Sequence, residues 1–256
     1  MAKDSMAGPP LADARLAEID AVIARTNSLR GALFALRGAY PAFADTHLGY
    51  EHIVGGKRHV RGDLINPTTL PASFGALYAE GGGAAFDPVV QMATSGSDHI
   101  VIDLEDLIAN GPDQFRGNAF LTAMIEIGCV RLTSVCLARG EAIGRVVLSV
   151  MSGRDAPVRS AEADRAALRQ MLASFRVYGH IARYFELKPV ELSTLQATAF
   201  GRSAQDIASR DGVSARSIEF RLQRVRKKLR AMTTAEAVFK ATAYGLIGVT
   251  DAVDAG

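Results

Sequence analysis

The chain contains no tryptophan and only two cysteines in 256 residues. Without tryptophan, no site in it can use an indole N–H as a hydrogen-bond donor. The scarcity of cysteine argues against a disulfide framework. Cys129 and Cys136, seven apart in an apolar, strand-like segment, read instead as buried, unreactive thiols of a reducing compartment. No run of eighteen or more apolar residues occurs, so no membrane-spanning helix is expected. The opening MAKDSMAGPPLADARLAEID carries acidic residues where a secretory signal would be apolar, which predicts a cytoplasmic protein with no membrane association. Catalytic motifs are missing too. There is no G-x-S-x-G elbow, and EGGGAAF lacks the Lys-Ser/Thr with which a P-loop holds phosphates. His47, His52 and His59 cluster in THLGYEHIVGGKRH without a helical i, i+4 pair or a nearby cysteine, so no metal site is expected. These absences point away from an enzyme and from a resident cofactor. A phosphorylated receiver domain is disfavoured because the chain begins with a helical pattern rather than an early strand followed by paired acids.

What is present is ample apolar content, 48% of residues, enough to bury one large or two smaller cores. Charge is unevenly placed. Leu187 to Ile247 carries eleven Lys or Arg against five Asp or Glu, although the whole chain is only +2. A basic C-terminal third on an otherwise acidic chain is the electrostatic footprint of a nucleic-acid-binding module. A solvated surface helix is the plainer alternative.

The pattern predicts an α+β chain with residues 1–10 disordered. One domain is read over 11–176, a linker over 177–186 and an all-α domain over 187–256. Leu16, Ile19, Ile23, Leu33 and Leu36 keep helical spacing across a break at Thr26–Ser28. One or two strands are expected between Tyr40 and Thr69, and helices in FGALYAEGGG and NAFLTAMIEIG. CVRLTSVCLARGEAIGRVVLSVMSG reads as a hairpin turning at Ala138–Glu141, and IDLEDL as the start of a helix. Ser160 opens a helix with Leu168, Met171, Leu172 and Phe175 on one face, a dimerisation element or simply a core helix.

The stretch DGVSARSIEFRLQRVRKKL carries the strongest signal. Ile218, Leu222, Val225 and Leu229 fall at i, i+4, i+7 and i+11, one apolar face of a helix, with basic residues off that face. Ser214 is positioned to cap it and Gly212 to turn into it, while Ser203 and Asp206 form the capping signal of a shorter preceding helix. Helix, glycine turn and basic helix make a helix-turn-helix pattern.

From Leu187 the chain resembles the DNA-binding domain of the LuxR family of transcription regulators. The family pattern L-T-P-R-E-x-x-x-L, then G-K-S-x-x-E-I-A, is matched by LKPVELSTLQATAFGRSAQDIA. The signature G-[IV]-S-x-x-T-V-x-x-H-x-x-x-[IV]-x-x-K-L appears as GVSARSIEFRLQRVRKKL, with Ser217 for Thr and Arg221 for His. Lys188 stands at the cap of the first helix, where it offers no acceptor, with Pro189 and Glu191 as partial compensation. The N-terminal part resembles the family's autoinducer-binding domain through Leu70, Pro71, Phe74, Tyr78, Asp87 and Pro88, with Ile102 at a second tryptophan position.

The resemblance implies an N-terminal α/β/α sandwich around an antiparallel sheet, followed by a four-helix helix-turn-helix domain. It also implies a homodimer on double-stranded, inverted-repeat DNA. Leu70, Phe74, Tyr78, Asp87, Val89, Ile102 and Ser149 are the implied ligand-binding residues, and an acyl- or aryl-homoserine lactone or another small signal the implied ligand. In the family, tryptophan donates to the lactone carbonyl and the aspartate accepts from the ligand amide. Phe74 has no donor and Leu70 no hydroxyl, while Leu132 replaces a glycine and Cys136 a proline of the pocket wall. A non-lactone ligand therefore stays open, as does a ligand-independent domain that only dimerises or meets a protein partner. On DNA, Arg216, Glu219, Phe220 and Gln223 are the candidates for base edges, and Ser217, Arg221, Arg224 and Lys227 for phosphates.

Overall fold

The structure, a computed structural model, describes residues 13–54, 64–83, 86–138, 144–156 and 159–248. The expected disorder at 1–10, the Gly55–Gly56 turn and the tip of the hairpin after Ala138 lie outside the described residues. The chain divides into two compact units, Met1–Phe175 and Arg176–Gly256.

In the first unit, α1 (Asp13–Ala24) and α2 (Leu29–Ala39) are separated at the expected break. Ser28 ends that break by accepting the Gly31 N–H. Five strands follow in an antiparallel sheet of order β2-β1-β5-β4-β3. They are β1 (Thr46–Val54), β2 (Leu64–Ile65), β3 (His99–Asp103), β4 (Arg131–Ala138) and β5 (Gly144–Ser152). Between them run α3 (Phe74–Glu80), α4 (Pro88–Ser95), α5 (Leu104–Asn110) and α6 (Ala119–Glu126), and α7 (Ala161–Val177) comes after. IDLEDL straddles a boundary: its first two residues end β3, and Asp103 caps α5 by accepting from the Glu105 and Asp106 N–H groups. Asn118 caps α6 in the same manner.

Strand alternation sorts the central side chains into two layers. Tyr50 of β1 meets Phe175 of α7 edge-on at 5.1 Å on one face. On the other, Ile53, Leu132, Cys136, Val147 and Met151 join Phe74, Val89, Leu121 and Met124 in a second core. The sheet thus lies between helical layers, the α/β/α arrangement expected. Both cysteines are buried and free, and burial pushes the Cys129 thiol to about 11, which suppresses its reactivity.

The second unit begins at Arg176, and in it α8 (His180–Tyr184) buries His180 and Ile181. Then come α9 (Pro189–Ala199), α10 (Ala204–Asp211), α11 (Ala215–Lys228) and α12 (Thr234–Ala243). The Ser203–Asp206 capping box is formed in both directions, at 3.1 and 3.0 Å. Gly212 takes φ 66°, the left-handed conformation that turns the chain into α11. Ser214 then accepts the Ser217 N–H at 3.2 Å. At the far end, Arg230 adopts φ 52° without being glycine. The buried Lys240 ammonium reaches the Leu229 and Arg230 carbonyls and pairs with Glu236, answering the negative end of the α11 dipole.

Glu191 ties these helices together. It is only 1% exposed. Its carboxylate accepts from the Lys188 N–H at 2.9 Å, from Lys228 Nζ at 2.7 Å and from Arg224 Nε at 3.3 Å. The cap that Lys188 cannot supply with its own side chain is thus completed from the third helical position. Burial alone would raise this carboxyl, but the Lys228 and Lys188 donors outweigh it and hold the group below the usual carboxylate range. A depressed folded pKa contributes stability that is complete above the ordinary value of 4.5 and is lost as the pH falls through the folded value. Glu191→Ala is therefore expected to cost the C-terminal unit about 3 kcal/mol near neutrality. Amide hydrogen exchange in α9 and α11 reads that unit alone, and unchanged protection there would refute the role given to Glu191.

Candidate functional site

A cavity of about 220 Å³ opens against the face of the sheet that carries Gly49, Glu51 and Ser149. Its far walls are α3, α6 and the start of α4, contributing Phe74, Tyr78, Phe120, Leu121, Met124, Asp87 and Val89. Asn66 to Leu70 continue alongside β1, held by Tyr50 N–H to the Pro67 carbonyl and Thr69 N–H to the Leu48 carbonyl. That pairing brings Asn66, Thr68 and Leu70 to the cavity.

Of the residues expected to bind ligand, Leu70, Phe74, Tyr78, Asp87, Val89 and Ser149 line this cavity. Ile102 takes a different place. It belongs to β3, the sheet edge beyond β4, and is buried in the adjoining core instead of lining the cavity. Leu132 forms part of the wall, as its position suggested, whereas Cys136 lies in the core. Sequence reasoning missed Glu51, Asn66, Thr68, Phe120, Met124 and Met151.

The polar groups are largely committed to one another. Asp87 Oδ1 accepts from the Val89 and Val90 N–H groups at 2.8 and 3.3 Å, capping α4, and Oδ2 accepts the Tyr78 hydroxyl at 2.9 Å. The residue expected to meet a ligand amide is thus first a helix cap and a partner of Tyr78. Ser149 shares a 2.9 Å hydrogen bond with Ser134 and donates to Glu51 Oε1 at 3.4 Å. Phe120 packs edge-on against both Phe74 and Tyr78, with centroids at 6.0 and 5.2 Å.

Glu51 differs from these. It is 8% exposed, and its Oε2 is buried with no hydrogen-bond partner. Burial, and then the nearby charge of Asp87, push its carboxyl well above the ordinary range. Burial also raises Asp87, against the opposing Tyr78 and backbone donors. With three donors Asp87 is the better stabilised charge of the two, and Glu51, with one oxygen unpaired, is the less stabilised. Burial and both acids raise the Tyr78 phenol as well, so it stays protonated and donates.

The second site is the outer face of α11. Arg216, Glu219, Phe220, Gln223, Arg224 and Lys227 are exposed. Phe220 is 48% exposed, with the Arg216 guanidinium 5.4 Å from its ring centroid. Ser217 bonds Ser214 through its hydroxyl. Arg221, expected at a phosphate, has a side chain only 16% exposed and pairs with Asp211 at 2.6 Å, which ties α11 to the end of α10. Arg224 reaches Glu191 with Nε while its side chain stays 58% exposed. Among the described residues no cluster of acids, His and Cys could hold a metal, and no helix is long and apolar enough to cross a membrane.

No protein-family model matches the chain, and no curated protein does. Among solved structures it is similar to SdiA of Escherichia coli, with 17% identity, TM-score 0.49, and coverage of 91% of this chain and 98% of that one. SdiA in complex with octanoyl-rac-glycerol gives a TM-score of 0.46 over 91% and 95% of the two chains, at 17% identity. CepR2 from Burkholderia cenocepacia, an N-acylhomoserine-lactone-dependent LuxR family transcription factor, gives 0.43 at 17% identity, covering 65% of this chain and 96% of that one. At such scores, function has to be read from this chain's own residues.

Glu51 offers the direct test of the cavity's electrostatics. A carboxyl raised by burial contributes stability below its ordinary value of 4.5 that is lost as the pH rises toward the folded value. Glu51→Gln is therefore expected to melt higher than wild type at neutral pH, with the gap closing as the medium is acidified. A variant that melts lower at neutral pH would show that the Glu51 carboxylate is already satisfied.

Proposed function

We propose that this chain is a DNA-binding transcription regulator of the LuxR type that acts as a homodimer on an inverted-repeat site and is governed by a small molecule in the cavity of its N-terminal unit. The observation that carries the DNA reading is the outer stripe of α11. Arg216, Phe220, Gln223 and Lys227 fall at i, i+4, i+7 and i+11 and all face solvent. The basic residues beside them, Arg221 and Lys228, are occupied inside the domain. A helix pinned by one set of cations and free along another suits insertion into a major groove.

In this reading Arg216 pairs with guanine, Gln223 with adenine, Glu219 with the cytosine amino group, and Phe220 packs on a thymine methyl. Lys227 and Ser217 meet phosphates, joined by the exposed part of Arg224. Arg221 acts instead through Asp211, holding α11 in place. Two such helices in successive grooves, about 34 Å apart, require a symmetric operator. Cytoplasmic residence and a regulatory, non-enzymatic role follow from that target.

The engagement of Asp87 with Tyr78 and the α4 backbone favours a second reading, in which the N-terminal unit only dimerises or binds a protein partner. The open Glu51 acceptor at the cavity favours the first.

The DNA reading is tested by fluorescence anisotropy of the full chain against duplexes selected from a randomised inverted-repeat pool. Arg216→Ala is expected to weaken the selected site by about 1–3 kcal/mol and relax one base position. Lys227→Ala should weaken all sequences alike and reduce the salt slope by about 1. Arg221→Ala should lower the melting temperature of the C-terminal unit before it changes that slope. No binding to any duplex at low salt, or indifference to Arg216 and Lys227, would overturn the assignment.

A further inference from the structure

An unmatched buried acceptor defines what the cavity lacks. Its polar lining is rich in acceptors: Glu51 contributes one carboxylate oxygen with no partner, and Asp87 has lone pairs beyond its three donors. Among the described residues that line it there is no Lys, Arg or His to neutralise either acid. Tyr78, the hydroxyl best placed to serve a ligand, already donates to Asp87. A neutral acyl lactone presents mostly carbonyl oxygens, which the Asn66 amide and the Thr68 hydroxyl of the lining could meet, but it would leave the Glu51 acceptor unmatched. The complementary occupant carries donors and positive charge.

The rest of the cavity suits such a head group and dictates its body. Phe120 packs edge-on against Phe74 and Tyr78 at its wall, and aromatic ring faces attract a desolvated cation. Leu121, Met124 and Met151 supply apolar surface. The volume of about 220 Å³ exceeds the roughly 150 Å³ of a cavity known to accommodate benzene, leaving room for one ring or a short chain with an aminoalkyl arm.

We infer that the cavity binds a small primary amine with an apolar body, its ammonium group donating to Glu51 Oε2 beside Asp87 and its body lying among the phenylalanines and methionines. This rests on reading the cavity as a ligand site, and it replaces the neutral lactone with a cationic class of ligand. The ammonium supplies the donor and the charge that the protein leaves out. Glu51 is then the residue that selects amines over neutral molecules of the same shape.

Isothermal titration calorimetry of the full chain with phenethylamine and hexylamine, against phenethyl alcohol, hexanol and hexanoyl-homoserine lactone, tests the assignment. The amines are expected to bind wild type, and the alcohols of matching shape to bind on the order of 100-fold more weakly. Glu51→Gln, which keeps the shape and is expected to fold at least as well as wild type, should lose the amine by a similar factor while its weak affinity for the alcohols is unchanged. Equal binding of amine and alcohol, an amine affinity insensitive to Glu51→Gln, or no amine binding to folded wild type would each overturn the proposal. Preferential binding of the lactone would also overturn it, showing that a protonated Glu51 donates to a ligand carbonyl. Duplex binding measured on the same preparation separates this proposal from the functional reading: DNA binding without amine binding removes only the amine, and amine binding without DNA binding removes only the regulator.

Discussion

A carboxylate taken out of water must find donors or give up its charge, and this constraint organises both halves of the chain. Glu191 finds three: a backbone N–H at the start of its own helix, a lysine and an arginine from α11. Asp87 also finds three, two from the first turn of α4 and one from Tyr78. Glu51 finds one weak serine donor on one oxygen and nothing on the other. The first two are structural solutions. The third is a vacancy in the hydrogen-bonding scheme that the folded chain maintains beside a cavity.

The same constraint separates the basic residues of α11 into two kinds. Lys228 and Arg221 spend their charge on Glu191 and Asp211, and through them on the angle at which α11 leaves α9 and α10. Arg216 and Lys227 carry no such ion pair among the described residues and stay exposed, on the opposite side from Ile218 and Val225. Placing a helix in a groove demands both kinds, because base edges are read only if the helix is held in a fixed orientation by its own domain. A count of positive charges in the sequence cannot make the distinction, since it depends on which side the acids of α9 and α10 approach from.

Local chemistry was legible in the sequence wherever it involved neighbours along the chain. Ser203 and Ser214 cap helices that begin where the caps do, and the apolar spacing of α11 correctly separates its buried face from its exposed one. Leu70, Phe74, Tyr78 and Asp87 could be placed at one cavity because motif spacing carries them. Glu51 could not. It sits in a strand whose residues are nearly all buried, so alternation assigns its face without saying whether that face meets core or cavity. Ile102 was misplaced for a related reason: its distance from Asp87 along the chain is right, but β3 lies at the sheet edge, where the same face continues into packed core. The pairings of Arg221 and Arg224 were hidden because Asp211 and Glu191 reach them from other helices.

A buried acid with one oxygen unpaired lowers the stability of the empty protein. An apolar side chain at position 51 would close the same face of β1 against Phe74 and Met151 without that cost. Unfavourable groups of this sort concentrate at functional sites, where what is lost in the empty state is recovered in the bound one. Any molecule that satisfies Glu51 adds its binding free energy to the folded state alone. Stability and occupancy of the N-terminal unit are therefore linked through one carboxylate, and that linkage is the physical means by which a small molecule that satisfied it would set how much folded protein is present.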